Sequence, residues 1–291
     1  MSLLDEVTHR TVDLGEVRLH YVEEGHGPLV VLLHGFPEFW YSWRHQIPAL
    51  AHAGFRVVAV DQRGYGGSDK PRRWQDYRIE TLAGDIAALI AALGEERAHV
   101  VGHDWGAAVA WMTATLHPER VDRLAALNVP HPARMFEGLR TPQQLAKSWY
   151  MFFFQLPWLP ETLFTRGGRR ALQGAYRDAR PGAFTDEDLD RYADALLAPG
   201  AMKAAIDWYR AALRRDPRRT TGQMGPIEAE TLVIWGERDR FLGAELAEPP
   251  AKLVPHARVV RLPDASHWVQ HDAPEEVNRL LVEHLRGGAA A

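Results

Sequence analysis

The 291-residue chain has no cysteine, which excludes disulfides, thiolate metal sites and a cysteine nucleophile together. It has no long apolar run either: even the aromatic stretch at 149–156 falls far short of the roughly 20 residues that a membrane-spanning helix needs. The opening Met1-Ser2-Leu3-Leu4-Asp5-Glu6 lacks the cationic region and apolar stretch of a signal peptide, so the expected location is cytoplasmic. Charge of one sign is scarce as well. The formal net charge is -4 and no basic stripe stands out, so neither nucleic acid nor a membrane is an expected partner. Lysine is rare, four against thirty arginines, a bias that fits a GC-rich bacterial source. No metal-binding spacing such as His-Glu-x-x-His and no Gly-rich phosphate loop occurs, so no cofactor and no metal are expected.

What is present suits a large α/β domain carrying an insertion: 46% of the residues are apolar and 25% are charged. The runs Leu29-Val30-Val31-Leu32-Leu33, Val57-Val58-Ala59-Val60 and His99-Val100-Val101 are short and β-branched with no polar face, as strands covered on both sides require. Residues 17–23 alternate apolar and polar and are predicted to form an antiparallel strand at the edge of the sheet. The clearest helical pattern has apolar residues at 82, 86, 89, 90 and 93 and closes on Gly94. After a further strand at Leu124-Ala125-Ala126-Leu127 the alternation of strand and helix stops, and from about 130 to 216 the chain reads as aromatic-rich helices. It resumes at Leu232-Val233-Ile234-Trp235 and Arg258-Val259-Val260-Arg261-Leu262, before a terminal helix at about 274–285. The expected class is α/β, with a mostly parallel central sheet flanked by helices. Its expected parts are a core at 1–129, a helical insertion at 130–216 and a second core part at 217–291, frayed from Gly287 onward.

Chemistry concentrates at Gly102-His103-Asp104-Trp105-Gly106, which follows a buried strand and opens a helix. Glycines flank the central residue because a tight strand-to-helix turn needs close backbone approach, and the turn thrusts one side chain into a site. Here that side chain is a carboxylate; its bland alternative is an Asp that caps the following helix. Asp239 ends Trp235-Gly236-Glu237-Arg238-Asp239, and His267 lies in Asp264-Ala265-Ser266-His267-Trp268 after the last strand. Taken singly these are a turn residue and a helix-flanking polar group. Together, in the order nucleophile, acid, histidine, they form the series that drives nucleophilic hydrolysis. None of the serines lies in a Gly-x-Ser-x-Gly context, which disfavours a serine esterase. His34-Gly35-Phe36-Pro37-Glu38 is placed to donate one oxyanion-hole amide, that of Phe36, with the amide of Trp105 as the other. His34 itself is read as a loop histidine bonded to backbone, and Asp61-Gln62-Arg63-Gly64-Tyr65-Gly66-Gly67-Ser68 as a structural turn.

The His-Gly-x-Pro and Gly-x-Asp-x-Gly signatures at His34-Gly35-Phe36-Pro37 and Gly102-His103-Asp104-Trp105-Gly106 resemble those of the soluble, bacterial-type epoxide hydrolases of the α/β-hydrolase superfamily, over nearly the whole chain. The resemblance implies an α/β-hydrolase fold with an inserted helical cap, a cis Phe36-Pro37 bond, and cap tyrosines at Tyr150 and Tyr209. It implies conversion of an epoxide to a vicinal diol through an alkyl ester on Asp104, hydrolysed by water that His267 and Asp239 activate. The tyrosines make chemical sense: ring opening releases an alkoxide, and a phenol with a pKa of about 10 stays protonated at neutral pH and can donate to it. One segment departs from the family pattern, reading Leu156-Pro157-Trp158 where acidic-Pro-Gly is usual. The substrate pocket is expected around Phe36, Pro37, Trp105, Phe153 and Trp268, with Phe39, Trp40, Trp43, Phe152, Phe154 and Trp158 as further aromatics of its roof. The expected partners are a small epoxide and water, and the chain is compatible with a homodimer. Haloalkane dehalogenases resemble the chain in fold and nucleophile but cradle a halide on indoles, for which Trp105 with Trp149, Trp158 or Trp208 are the candidates. A receptor that keeps the pocket without turnover is the alternative of another class.

Overall fold

The protein is described from a computed structural model that covers residues 7–214 and 224–287. The expected boundary at 216/217 and the end beyond Gly287 lie outside the described residues. Eight strands, β1 (Thr8–Asp13), β2 (Arg18–Gly25), β3 (Leu29–Leu33), β4 (Arg56–Asp61), β5 (Ala98–His103), β6 (Val121–Leu127), β7 (Glu230–Gly236) and β8 (Ala257–Leu262), form one sheet in the order β1-β2-β4-β3-β5-β6-β7-β8. The β1–β2 and β2–β4 pairs are antiparallel, and every pair from β4 to β8 is parallel.

The strand read at 17–23 is therefore not the edge. It is β2, hydrogen-bonded on both sides, and the edge is β1, whose residues Thr8 to Arg10 are exposed. An edge strand with so little buried on either face carries no apolar stripe for a sequence to show.

Period-two alternation in the central strands divides the core into two layers. Leu29, Val31 and Leu33 of β3 and Val100 of β5 face a cluster that contains Trp111, Leu82 and Ile86. Val30 and Leu32 of β3 and Val101 of β5 face the opposite cluster, with Trp43, Val277 and Leu281. Among the helices that cover these faces are α1 (Gln46–His52), α2 (Ile79–Ala92) and α3 (Trp105–Leu116). Between β6 and β7 run α4 (Pro132–Gly138), α5 (Pro142–Lys147), α6 (Trp149–Phe153), α7 (Leu159–Gln173), α8 (Asp186–Leu197) and α9 (Ala201–Leu213); after β8 come α10 (Val269–Asp272) and α11 (Pro274–Leu285). The start of α8 is written in its sequence: Thr185 and Asp188 form a reciprocal capping box. No helix among the described residues is long and apolar enough to cross a membrane.

Three residues other than glycine hold positive φ: Asp104 at 49°, Asn128 at 47° and Trp158 at 52°. Such backbone costs an L-residue about 1–3 kcal/mol and persists only where its surroundings enforce it. Two of the three stand beside each other's chemistry at the carboxyl end of the sheet.

Candidate active site

Asp104 follows β5 directly and heads α3, at the end of a strand buried along its whole length. The turn is crowded: a side chain at Gly35 would collide with Asp104, and one at Gly106 with the carbonyl of Leu33. Asp104 makes no side-chain capping bond to α3, which removes the bland alternative for it. Its Oδ1 instead accepts from the Phe36 amide at 2.8 Å, while its Oδ2 lies 3.6 Å from Nε2 of His267. The Phe36-Pro37 peptide is cis. The amide of Trp105, the other expected oxyanion donor, is the first of α3 and so has no partner within the helix.

His267 is held from behind. Its Nδ1 pairs with Asp239 Oδ2 at 2.7 Å. Asp239 also accepts from Asn128 Nδ2 at 2.8 Å and, on Oδ1, from the amides of Phe241 and Leu242 at 2.7 and 2.9 Å. Burial alone would push the Asp239 carboxyl up; the charge and hydrogen bond of His267, with Asn128 and the Leu242 amide, outweigh it and hold the carboxyl below its usual range. Burial likewise opposes charge on His267, but Asp239 and then Asp104 overcome it and raise the imidazole well above its ordinary value. The ring thus lies between the carboxyl groups of Asp239 and Asp104, both of which favour its charged form.

Tyr150 on α6 and Tyr209 on α9 meet above Asp104, their ring centroids 5.9 Å apart and nearly perpendicular. Tyr209 packs edge-on against Trp105 at 5.0 Å and Phe36 at 5.5 Å. Burial, and next the nearby charge of Asp104, raise both phenols well above the ordinary tyrosine value, so both keep their protons. A cavity of about 170 Å³ connects these groups: Asp104, Trp105, Tyr150 and Tyr209 all line it, and its remaining wall is mostly apolar.

Placement of the other expected wall residues differs. Phe36, Pro37, Phe153 and Trp268 are not among the residues lining this cavity; Met112, Met135, Phe136 and Leu139 are. Phe36 touches the site through its amide and through Tyr209. Trp268 packs edge-on against His267 at 5.0 Å and extends into a buried cluster with Tyr176 and Phe184, outside the cavity wall. Phe152 and Trp158 face solvent, and Trp40 and Trp43 pack in the layer beneath the sheet. His34 bonds to the Gly35 carbonyl and accepts from the Gln62 amide, the backbone role expected of it.

Three supporting groups carry no motif. Asn128, fully buried at positive φ after β6, donates to Asp239 and to the Gly236 carbonyl and accepts from the Gly236 amide. Only its readiness to adopt left-handed backbone hints at such a post. Buried Glu38 binds His103 at 3.0 Å and His271 at 2.9 Å, and His103 reaches the His267 carbonyl at 2.9 Å. Burial and then Arg44 depress His271 to about 3, so it stays neutral. Lys147 on α5 donates to the carbonyls of Asp239 and Leu242 at 2.9 and 3.3 Å, which ties the helical segment to the acid's loop.

A carboxylate on a strained elbow, with an acid and a histidine beyond the ends of β7 and β8, is the arrangement of an α/β-hydrolase. The alpha/beta hydrolase fold family matches residues 28–274. The chain is 43% identical over 288 residues to the AB hydrolase superfamily protein YfhM of Bacillus subtilis, covering 97% of this chain and 99% of the relative. It is 36% identical over 350 residues to epoxide hydrolase B of Mycobacterium tuberculosis, covering 96% and 98%. The crystal structure of epoxide hydrolase A from Mycobacterium thermoresistibile matches with a TM-score of 0.82 at 36% identity, covering 97% of this chain and 98% of that one. The chain belongs to the epoxide hydrolase family of the α/β-hydrolase superfamily.

Proposed function

We propose that the protein hydrolyses small apolar epoxides to vicinal diols through a covalent ester on Asp104. One observation carries this reading: a single cavity is lined by Asp104 and, across from it, by two protonated tyrosines. A carboxylate oxygen of Asp104 attacks an epoxide carbon, the carbon–oxygen bond breaks, and a phenol of Tyr150 or Tyr209 gives its proton to the departing oxygen. Ester formation removes the Asp104 charge that helped hold the imidazolium, so the His267 pKa falls. The proton it releases restores the phenol, since burial makes a lasting phenolate unfavourable.

Neutral His267, oriented by Asp239, then takes a proton from water as that water adds to the ester carbonyl carbon. The amides of Phe36 and Trp105 stabilise the oxyanion; on collapse the ester carbon–oxygen bond breaks, the leaving alkoxide takes the remaining proton of the added water and departs as the diol, and Asp104 returns as a carboxylate beside a protonated His267. In this reading residues 130–216 are the cap, which contributes Tyr150 and Tyr209, and 1–129 with 217–291 are the core. An apolar cavity of about 150 Å³ accepts benzene, so about 170 Å³ suits a mono-aryl or short alkyl epoxide.

Dehalogenation is disfavoured by the indoles. Trp208 gives its N–H to the Arg63 carbonyl at 3.1 Å, and Trp149 and Trp158 are exposed, so Trp105 gains no partner for cradling a halide. The test is a single turnover of styrene oxide in heavy-oxygen water. An unlabelled diol, with the heavy atom in the Asp104 carboxyl, is expected; label in the diol on the first turnover would mean direct attack by water and no ester.

A further inference from the structure

All six large hydrophobic side chains that stand exposed among the described residues fall between 145 and 163: Leu145, Trp149, Phe152, Leu156, Trp158 and Leu163. Trp149 and Phe152 are three apart on α6 and share a face, while Tyr150 and Met151 of the same helix line the cavity. The helix is apolar all round, yet only its inner side is covered. A concentration of this kind on one segment marks an interaction surface, whereas single exposed apolar residues need no explanation.

Trp158 sharpens the point. It is 70% exposed and holds positive φ at the head of α7, and Leu156, two residues before it, is exposed as well. Both residues put a large apolar group in water at an exposed turn, and Trp158 does so against its backbone preference. The other two strained residues, Asp104 and Asn128, sit in the active site. The Trp158 carbonyl opens α7 by accepting from Thr162, but nothing in that bond calls for an indole, and strain kept under a solvent-exposed side chain points to function.

Charge identifies the occupant. Residues 139–173 carry Arg140, Arg166, Arg169 and Arg170, with Lys147 turned inward onto the carbonyls of Asp239 and Leu242, against a single acid, Glu161, which is bound to Arg210, in a chain whose net charge is -4. Arg169 pairs with Asp190 and Asp194, but Arg140, Arg166 and Arg170 are exposed and have no salt-bridge partner among the described residues. A two-fold contact with a second copy would set these cations against themselves. We infer that this face docks the protein peripherally on an anionic lipid surface, with Trp149, Phe152, Leu156 and Trp158 seated at the headgroup level and the arginines on phosphate. Tryptophan, phenylalanine and leucine beside arginine are the composition of segments that lie in a membrane interface. The docking is independent of the reaction proposed above, although it would set the cavity helix α6 against a reservoir of apolar epoxide.

The experiment is co-sedimentation of the full chain with vesicles of phosphatidylcholine alone and of phosphatidylcholine mixed with phosphatidylglycerol. Binding is expected to the mixed vesicles, to weaken as salt is raised, and to fall about tenfold in Trp158→Gly and in Trp149→Ser, the effect of withdrawing one large aromatic from an apolar phase. Because Trp158→Gly relieves backbone strain, it is expected to melt no lower than wild type, which separates lost docking from lost folding. Absence of binding to the mixed vesicles, or binding that both variants leave unchanged, overturns the proposal. A concentration-dependent dimer that Trp149→Ser abolishes also overturns it and assigns the face to a second copy.

Discussion

At the carboxyl end of the sheet, Asp104 and Asn128 hold positive φ with their side chains hydrogen-bonded and, for Asn128, wholly buried. At the head of α7, Trp158 holds the same kind of backbone with its indole in solvent. In the first region strain is converted into geometry: Asn128 both fixes Asp239 and clamps Gly236, so relaxing its backbone would cost more than it released. In the second no comparable contact of the indole offsets the strain. A strained residue is thus informative through what its side chain does, and the two regions should answer the same substitution with opposite signs.

The largest expected effect lies in the first region. Asp104→Asn should lower diol formation by roughly 10⁵-fold or more, as loss of a nucleophile does, measured by chromatography of the diol. Tyr150→Phe and Tyr209→Phe should each slow ester formation by about 10²–10³-fold, as removal of one donor to a developing oxyanion does, read by rapid-quench measurement of the first turnover. Asn128→Gly keeps the backbone freedom but strips the bonds to Asp239 and Gly236, so urea unfolding should show a loss of about 2 kcal/mol from buried groups left unpaired. Trp158→Gly should instead gain about 1 kcal/mol, raising the melting temperature by roughly 2 °C in a chain of this size. If both glycine variants shifted stability in the same direction, the contrast between the regions would be wrong.

The smallest effect is one of pH. His267 has a folded pKa raised above 6.5 by Asp239 and Asp104 despite its burial. Its contribution to stability is therefore complete below pH 6.5, declines as pH rises toward the folded value and is gone above it. Melting curves across that alkaline window should fall for wild type and lose this component in His267→Gln.

Much of the fold could be read because β3, β4 and β5 are covered on both faces and so show uninterrupted apolar runs, with Asp104, Asp239 and His267 breaking the pattern just past strand ends. β1 could not, since an exposed edge has no stripe to detect. Asn128 and the Glu38–His103–His271 group escaped notice because their partners lie 111, 65 and 233 positions away, and no local spacing encodes such contacts. Tyr150 and Tyr209, which line the cavity with Asp104, are pointed to by family resemblance and not by periodicity, which cannot distinguish a donor from aromatic filler. The wall differs from the expectation for a related reason: aromatic content points to Phe153 and Trp268, whereas the cavity takes Met135 and Phe136 from α4 and Leu139 just after it, apolar residues with no chemical marker.

The covalent ester on Asp104 is tested most directly by intact-mass measurement of His267→Gln mixed with styrene oxide, with Asp104→Asn as control. The account predicts a mass gain of one epoxide that maps to Asp104, persists because its hydrolysis has lost the base, and is absent from the control. No adduct in folded His267→Gln, or an equal adduct in Asp104→Asn, would contradict it.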